Sequence, residues 1–264
     1  MWNKFFSKKK SIPDMETRIV EMKIGEKEAK YLFERARTCD ANAQVRLADI
    51  FMDEEEMDYA FKWYSEAAKY DNTDALYKLA LFYKGVYDYD LEADMEKAES
   101  LLVRAMEYGH AEAIYRLGGI CEYNKNDIAQ AYEYYEKAAE LGHAYSKEIM
   151  GRAYLEGEVF PKDEERAFYW FSNSNNYAYC YYDLGRCYLY GIGTDIDVER
   201  AVDCLEKAES AKCTELSETR KMLIDLYSKG YGGANSQNKL MQIQNNIERY
   251  DKLISDYAAL ITNE

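Results

Sequence analysis

The sequence predicts an all-α protein, an α-solenoid of about five to six stacked helical hairpins, and three observations predict it. A small residue is followed by Leu four positions on, Gly or Ala beside that Leu, and an aromatic four further. A second helix then opens on Ala and runs into an aromatic-rich or Lys-Ala-Ala segment. The pattern reads clearly at Ala113, Leu117 and Gly118, then Ala131, Tyr134, Tyr135, Ala138, Ala139 and Gly142. It returns at Cys180, Leu184, Gly185, Tyr188 and Gly191, then Ala201, Leu205 and Ala208. The second observation is the period, which lies in the mid-thirties and marks stacked helical hairpins. Third, only two Pro interrupt a chain of 264 residues that is 48% hydrophobic.

Tracking two positions tests the register. The Leu position falls at Leu47, Leu79, Leu117, Met150, Leu184 and Leu223, with steps of 32, 38, 33, 34 and 39. The second-helix Ala falls at Ala29, Ala60, Ala98, Ala131, Ala167 and Ala201, with steps of 31, 38, 33, 36 and 34. Both series lengthen at the same place, which puts extra residues in a loop at Val86–Asp94. Hairpin turns tolerate such insertions.

The offsets 0, 4 and 8 lie along one helical face, since each step of four advances the angle by only about 40°. The small residue at offset 0 (Ala43, Ala75, Ala113, Ser146, Cys180, Thr219) admits a close partner helix. Gly or Ala at offset 5 (Ala48, Ala80, Gly118, Gly151, Gly185) does the same from an adjacent angle. Gly inside a helix costs about 1 kcal/mol relative to Ala, so its recurrence points to close contact. Gly157, Gly191 and Gly230 suit left-handed caps at first-helix ends.

In order, residues 1–13 form a basic-aromatic arm ending at Pro13, and a solenoid spans 14–233. The helix near Glu26–Thr38 is the second half of an incomplete hairpin. Hairpins follow at roughly 41–70, 73–108, 111–141, 144–176 and 178–210, with a further first helix at about 215–229. Gly232-Gly233 breaks the chain before a capping helix within 234–264. Its stripe of Leu240, Ile243, Ile247, Tyr250, Leu253, Ile254 and Tyr257 suits the open end of an array.

These residues resemble the Sel-one-like repeat family, a relative of the tetratricopeptide repeat with a longer loop. The likeness runs from about Ala43 to Gly230. Leu184–Gly193 is similar to the family's first-helix signature and loop, and Ala131–Gly142 to its second-helix signature. Asp53–Met57 departs from the glycine loop, and Ser174-Asn175 from Ala-Ala, which leaves hairpin register open at those two places. The resemblance implies a right-handed α-α superhelix that binds other proteins and assembles complexes. Some relatives are adaptors or immunity proteins.

Composition narrows the function. Net charge is −15, and the first ten residues contribute +4, so the remainder carries −19. Such a body repels phosphate backbones, which argues against nucleic acid and favours a basic protein surface. An acidic balance serves solubility equally well. No span of about 20 apolar residues exists, so no transmembrane helix is expected. The start lacks the apolar core of a secretory signal, and a cytoplasmic location is the expectation. The arm (Trp2, Lys4, Phe5, Phe6, Lys8, Lys9, Lys10) suits either a frayed terminus or weak contact with an anionic membrane surface.

The six cysteines show no metal spacing. Cys180 and Cys187 share one helix about 10 Å apart, too far to bridge, and all six read as buried free thiols. His110 and His143 each sit in a Gly-His-Ala turn at one repeat position and read as turn residues. Gly191-Ile-Gly193 lacks the preceding strand of a phosphate loop. Asp195, Asp197 and Glu199 lack the Gly and terminal Glu of a calcium loop; acids favouring the next helix N-terminus explain them. No catalytic residue, metal site or cofactor is expected, and a hydrolase with a grafted site is the least favoured reading.

Tyr is abundant, 27 of 264 residues. The offset-8 residues (Tyr83, Tyr154, Tyr188, Tyr227) and second-helix aromatics (Trp63, Tyr64, Tyr134, Tyr135, Trp170, Phe171) are assigned to the core. Offsets 2, 6 and 9 point away from it and are expected to line a concave groove. Tyr77, Tyr115 and Tyr182 recur at one of these positions and Arg152 and Arg186 at another, with Leu81 and Leu189 also among them. Tyr and Arg are frequent interface anchors, so these seven are the candidate partner-binding residues. The expected function is a non-enzymatic groove for a protein or peptide, as an immunity protein neutralising a basic toxin or as a scaffold or regulatory adaptor.

Overall fold

The structure is a computed structural model that describes residues 26–261 apart from 88, 90, 175, 176 and 213–215. The arm at 1–13, Asn175, Cys213 and the side chains of Ala29, Tyr250, Leu253, Ile254 and Tyr257 lie outside the described residues. Every regular element among those described is helical. In order they are α1 (Glu26–Arg37), α2 (Ala41–Asp53), α3 (Met57–Ala67), α4 (Thr73–Tyr83), α5 (Met95–Glu107), α6 (Ala111–Ile120) and α7 (Ile128–Glu140). Then come α8 (Ala144–Glu156), α9 (Glu164–Ser172), α10 (Cys180–Tyr190), α11 (Val198–Ser210), α12 (Leu216–Ser228) and α13 (Ser236–Ile261). A short 3₁₀ turn follows α3 at Ala68–Tyr70, and a π turn follows α6 at Cys121–Lys125.

The chain divides between Leu141 and Gly142 into two compact units. In the first, α1 packs on α2, and α2–α3, α4–α5 and α6–α7 are hairpins joined by α3 on α4 and α5 on α6. In the second, α8–α9 and α10–α11 are hairpins joined by α9 on α10, and α11, α12 and α13 pack in succession. These are the expected hairpin repeats.

Close approach inside each hairpin follows from the small residues. All six offset-0 residues are buried, and Ala48 and Ala80 at offset 5 are 0% and 1% exposed. A Cβ built on Gly118 would lie 2.5 Å from Tyr135 Cε1, one on Gly151 2.4 Å from Phe171 Cε1, and one on Gly185 2.8 Å from Leu205 Cγ. Each of those large side chains stands four residues after its second-helix Ala. The glycine thus makes room for the neighbour's ring or branch, and the contact offsets its poor helix propensity.

The second helices begin on a repeated device. Asp94, Asp127, Asp163 and Asp197 each accept, through the side chain, the backbone N–H three residues on, at 2.9–3.1 Å. Such a cap contributes about 1 kcal/mol. The backbone N–H of each of these Asp donates back to the offset-8 carbonyl: Tyr83, Cys121, Tyr154 and Tyr188, at 2.8–2.9 Å. The residue three after the Asp then places a cation on the offset-8 ring. Lys97 lies 4.1 Å from the Tyr83 centroid, Arg166 5.3 Å from Tyr154 and Arg200 5.6 Å from Tyr188. Where offset 8 is Cys121, the residue three after the Asp is the uncharged Gln130. Asp197 is therefore a helix cap, as the sequence suggested.

Left-handed positions persist where glycine does not. Gly157 and Gly191 end α8 and α10 with φ of 76° and 72°. Glu55 (φ 59°) takes this role after α2, so the missing glycine at Asp53–Met57 leaves the hairpin intact. The Val86–Asp94 insertion is a packed loop. Tyr87 lies 4.7 Å from Phe82, Tyr89 stacks 5.6 Å from Phe61, and the Tyr89 hydroxyl donates to Asp58 at 3.0 Å. In α13, Leu240, Ile243 and Ile247 pack against the cluster containing Leu223, Leu226 and Tyr227.

Several expected core residues are only half-buried: Leu184, Tyr188 and Tyr134. At Leu184 the reason is electrostatic, since its neighbour Asp183 takes the inward place, 3% exposed, drawn by two arginines. Of the five described cysteines, Cys121, Cys180, Cys187 and Cys204 are buried free thiols. Cys39 is exposed, because it is the left-handed connector residue (φ 64°) between α1 and α2.

Gly193 (φ 67°) is the tightest approach, for a Cβ there would sit 1.9 Å from the backbone oxygen of Glu164. Gly193→Ala combines a left-handed conformation with a clash against backbone, and is expected to destabilise by about 2 kcal/mol or more. Urea unfolding reads it; an unchanged midpoint would contradict this packing.

Candidate protein-interaction face

The first helices α2, α4 and α6 of one unit, and α8, α10 and α12 of the other, carry the outward offsets 2, 6 and 9. Two of these positions turn inward. Val45 is 9% exposed and joins the core cluster that holds Leu32, Phe33 and Ala36 of α1. Glu148 is 6% exposed and lies beneath Arg152. The seven candidate residues are all half-buried.

In the first unit, Tyr77 of α4 stacks on His110 with centroids 5.0 Å apart, and its hydroxyl donates to Glu112 at 3.2 Å. Arg116 Nε donates to the same carboxylate oxygen at 2.9 Å, and its guanidinium lies 5.4 Å from the Tyr115 centroid. Tyr115 in turn meets Tyr135 at 5.7 Å. Leu81 stands on α4 one turn beyond Tyr77. Burial, then the Glu112 charge, pushes the Tyr77 phenol above its usual range. Tyr64 and Tyr135 are raised further, first by burial and then by donating to Asp49 at 2.5 Å and Glu122 at 2.6 Å. The face thus carries Tyr77 tied to a carboxylate, while Tyr64 and Tyr135 make the same kind of bond from the core beneath it.

The second unit carries a different chemistry. Arg152 Nε of α8 donates to Asp183 Oδ2 at 3.1 Å, and its Nη2 pairs with Glu148 Oε1 at 3.3 Å. Arg186 Nη1 of α10 donates to Asp183 Oδ1 at 3.3 Å and its guanidinium lies 5.6 Å from the Tyr182 centroid. The carboxylate side chains are 8% and 4% exposed, the arginines 35% and 34%. Tyr182, Arg152 and Arg186 are therefore brought together, while Leu189 packs on the neighbouring cluster. Asp183 and Glu148, which hold the arginines, escaped sequence reasoning because a charge beside a core position reads as solvated.

The histidines are occupied as caps. Nδ1 of His110 accepts from the Ala113 N–H, and Nδ1 of His143 from the Ser146 N–H, both at 3.1 Å. An accepting Nδ1 carries no proton, which places the ring proton on Nε2; in His110 that nitrogen faces Asp74 Oδ1 at 3.2 Å. Asp40 and Asn72 cap α2 and α4 identically, so all four residues share one repeat position. Among the described residues no group of three or more His, Cys, Asp or Glu is arranged to hold a metal. No helix there is long and apolar enough to cross a membrane.

Tandem helical hairpins with small residues at the crossing define the class, a tetratricopeptide-like repeat protein. The Sel1 repeat model matches residues 41–69, 73–110, 111–143, 146–174 and 178–212, more than half of the chain, and the chain belongs to that family. It is 31% identical over 159 residues to the chitin synthase regulator SKT5 of Saccharomyces cerevisiae, covering 56% of this chain and 23% of that protein. It is 27% identical over 227 residues to an uncharacterized protein of Neisseria meningitidis, covering 82% and 46%. The chain thus spans less than half the length of these relatives. Among solved structures, a Sel1 repeat protein from Oxalobacter formigenes is 28% identical with a TM-score of 0.66, over 73% of this chain and 58% of that one. A protective antigen of uropathogenic Escherichia coli shares the fold, with a TM-score of 0.65 at 24% identity over 90% and 52%.

Burial pushes the Cys180 and Cys187 thiols up to about 12 and Cys204 to about 11. A thiol ordinarily titrates near about 8.5, so the folded state favours the protonated form. That contribution is complete below about pH 8.5 and is lost as pH rises through the folded values. Stability in urea is expected to fall from about pH 9 towards pH 11, less steeply for Cys180→Ala/Cys187→Ala/Cys204→Ala. Parallel slopes would contradict the assignment.

Proposed function

We propose that this chain is a protein-binding module whose first-helix faces hold a segment of a partner protein. One observation carries the reading. Tyr and Arg recur half-exposed at repeat-equivalent positions, each held by a carboxylate, a ring or a guanidinium. A surface of side chains fixed before binding loses less entropy on association, and Tyr and Arg are the types that most often dominate interface energetics. The net charge of −15 favours a partner with a basic surface, drawn in by long-range attraction. A reducing compartment such as the cytoplasm suits the buried free thiols.

The charge supports a narrower form, an immunity protein that covers the active surface of a basic toxin. The relatives named as chitin synthase regulators support the other, a regulatory adaptor. Genes neighbouring the locus separate the two: a toxin gene alongside favours the first.

With the partner isolated from the native host, Tyr115→Ala/Arg186→Ala is expected to weaken binding by about thirtyfold, the effect of losing one hot spot. Melting should fall by no more than about 5 °C. An unchanged affinity would overturn the reading, as would loss of folding, which would make these residues core. Association should also slow as salt rises, if the partner is basic.

A further inference from the structure

The two first helices of the second unit's hairpins carry stripes that agree at three of four positions. On α8 the stripe is Tyr145, Glu148, Arg152 and Leu155; on α10 and the residue before it, it is Tyr179, Tyr182, Arg186 and Leu189, each 34 residues after its counterpart. Spacings of three and four keep each set on one helical face. At the Arg position the other first helices carry Asp49, Leu81, Gly119 and Asp225, so the doubled arginine belongs to α8 and α10.

The geometry of the pair is unusual for two like charges. Asp183 gives one carboxylate oxygen to each arginine, and Glu148 adds a second countercharge under Arg152. Both acids are buried, whereas each arginine side chain is about a third exposed. A buried ion network seldom stabilises a fold more than apolar packing would, so stability alone does not account for it. Tyr145 and Tyr179, 41% and 40% exposed, flank one side and are linked through Tyr177, at 6.4 and 5.3 Å. Half-buried Leu155 and Leu189 flank the other.

A guanidinium fork matches a carboxylate in shape and charge. Because the stripes continue on both sides of the arginines, the matching group lies inside a segment and not at its end. We propose that the α8–α10 face binds a partner segment through an internal Asp or Glu, its carboxylate lying across Arg152 and Arg186 and its apolar neighbours on the Tyr and Leu flanks. This rests on the reading of the chain as a protein-binding module, and it adds a local contact of opposite sign to the basic partner surface. Within an acidic molecule such a contact fixes register. Asp183 is a positioning residue that sets the spacing of the two forks.

The test uses the full chain with Arg Nε–Hε resonances followed by NMR. The probes are three nonapeptides: an acetylated, amidated one with a central Glu between Leu and Phe, the same with Gln, and the Gln peptide with a free C-terminal carboxylate. The Glu peptide is expected to shift both Arg152 and Arg186 resonances saturably, at least about tenfold more tightly than either Gln peptide, about 1.4 kcal/mol. Arg186→Gln should abolish the preference. Arg186→Lys, which keeps the charge and loses the fork, should reduce it at least about threefold with melting unchanged. Equal binding of Glu and Gln peptides, no shift with any of them, or a free C-terminus binding as well as Glu would each overturn the proposal. The native partner's affinity for Tyr115→Ala tests the broader reading separately.

Discussion

The structure depends on how close two helices of a hairpin can come. Where Gly118, Gly151 and Gly185 face Tyr135, Phe171 and Leu205, no Cβ intervenes, and the large side chain lies directly on helical backbone. Dispersion and burial at that contact outweigh the poor propensity of glycine inside a helix. In the Gly151 and Gly185 hairpins the offset-8 ring also meets the second helix's first turn, where Asp163 and Asp197 cap the helix and the cation three residues later covers the ring. The hairpin of Asp94, Tyr83 and Lys97 makes the same arrangement with Ala80 at the crossing.

A fixed hairpin also fixes what its outer face displays. Tyr77 of α4 is braced by a phenol–carboxylate bond to Glu112 of α6, and Tyr135 of α7 makes the same kind of bond to Glu122 in the π turn after α6. On α8 and α10, by contrast, the bracing is between charges, with acids below and guanidinium groups above. The two units therefore offer surfaces braced in different ways from one repeat plan. Family membership accounts for the plan, and these substitutions on it account for what is particular to this chain.

Much of this was legible in the sequence because it is periodic. Small residues, Leu positions and second-helix Ala repeat in step, and the structure places nearly all of them inside. The Asp caps could have been read too, standing four residues before Ala98, Ala131, Ala167 and Ala201. Non-periodic features were opaque. Tyr87 and Tyr89 pack from a loop with no repeat signal, and Asp183 takes the inward place beside half-buried Leu184, paired with Arg152 of α8 and Arg186 of its own helix. The division between Leu141 and Gly142 leaves no mark, since the connectors at His110 and His143 follow the same pattern. At the candidate face, residue type and position were readable, but the buried acids beneath Arg152 and Arg186 were not.

The close contact itself is most directly tested by a double-mutant cycle at Gly151 and Phe171, followed by urea unfolding. Gly151→Ala in the native background is expected to destabilise by about 1–3 kcal/mol, because the added methyl meets a buried ring. With Phe171→Leu already in place, that loss should shrink by at least about 1 kcal/mol, leaving the helix-propensity gain of Ala to show. A Gly151→Ala substitution that is neutral or stabilising in both backgrounds would contradict the account.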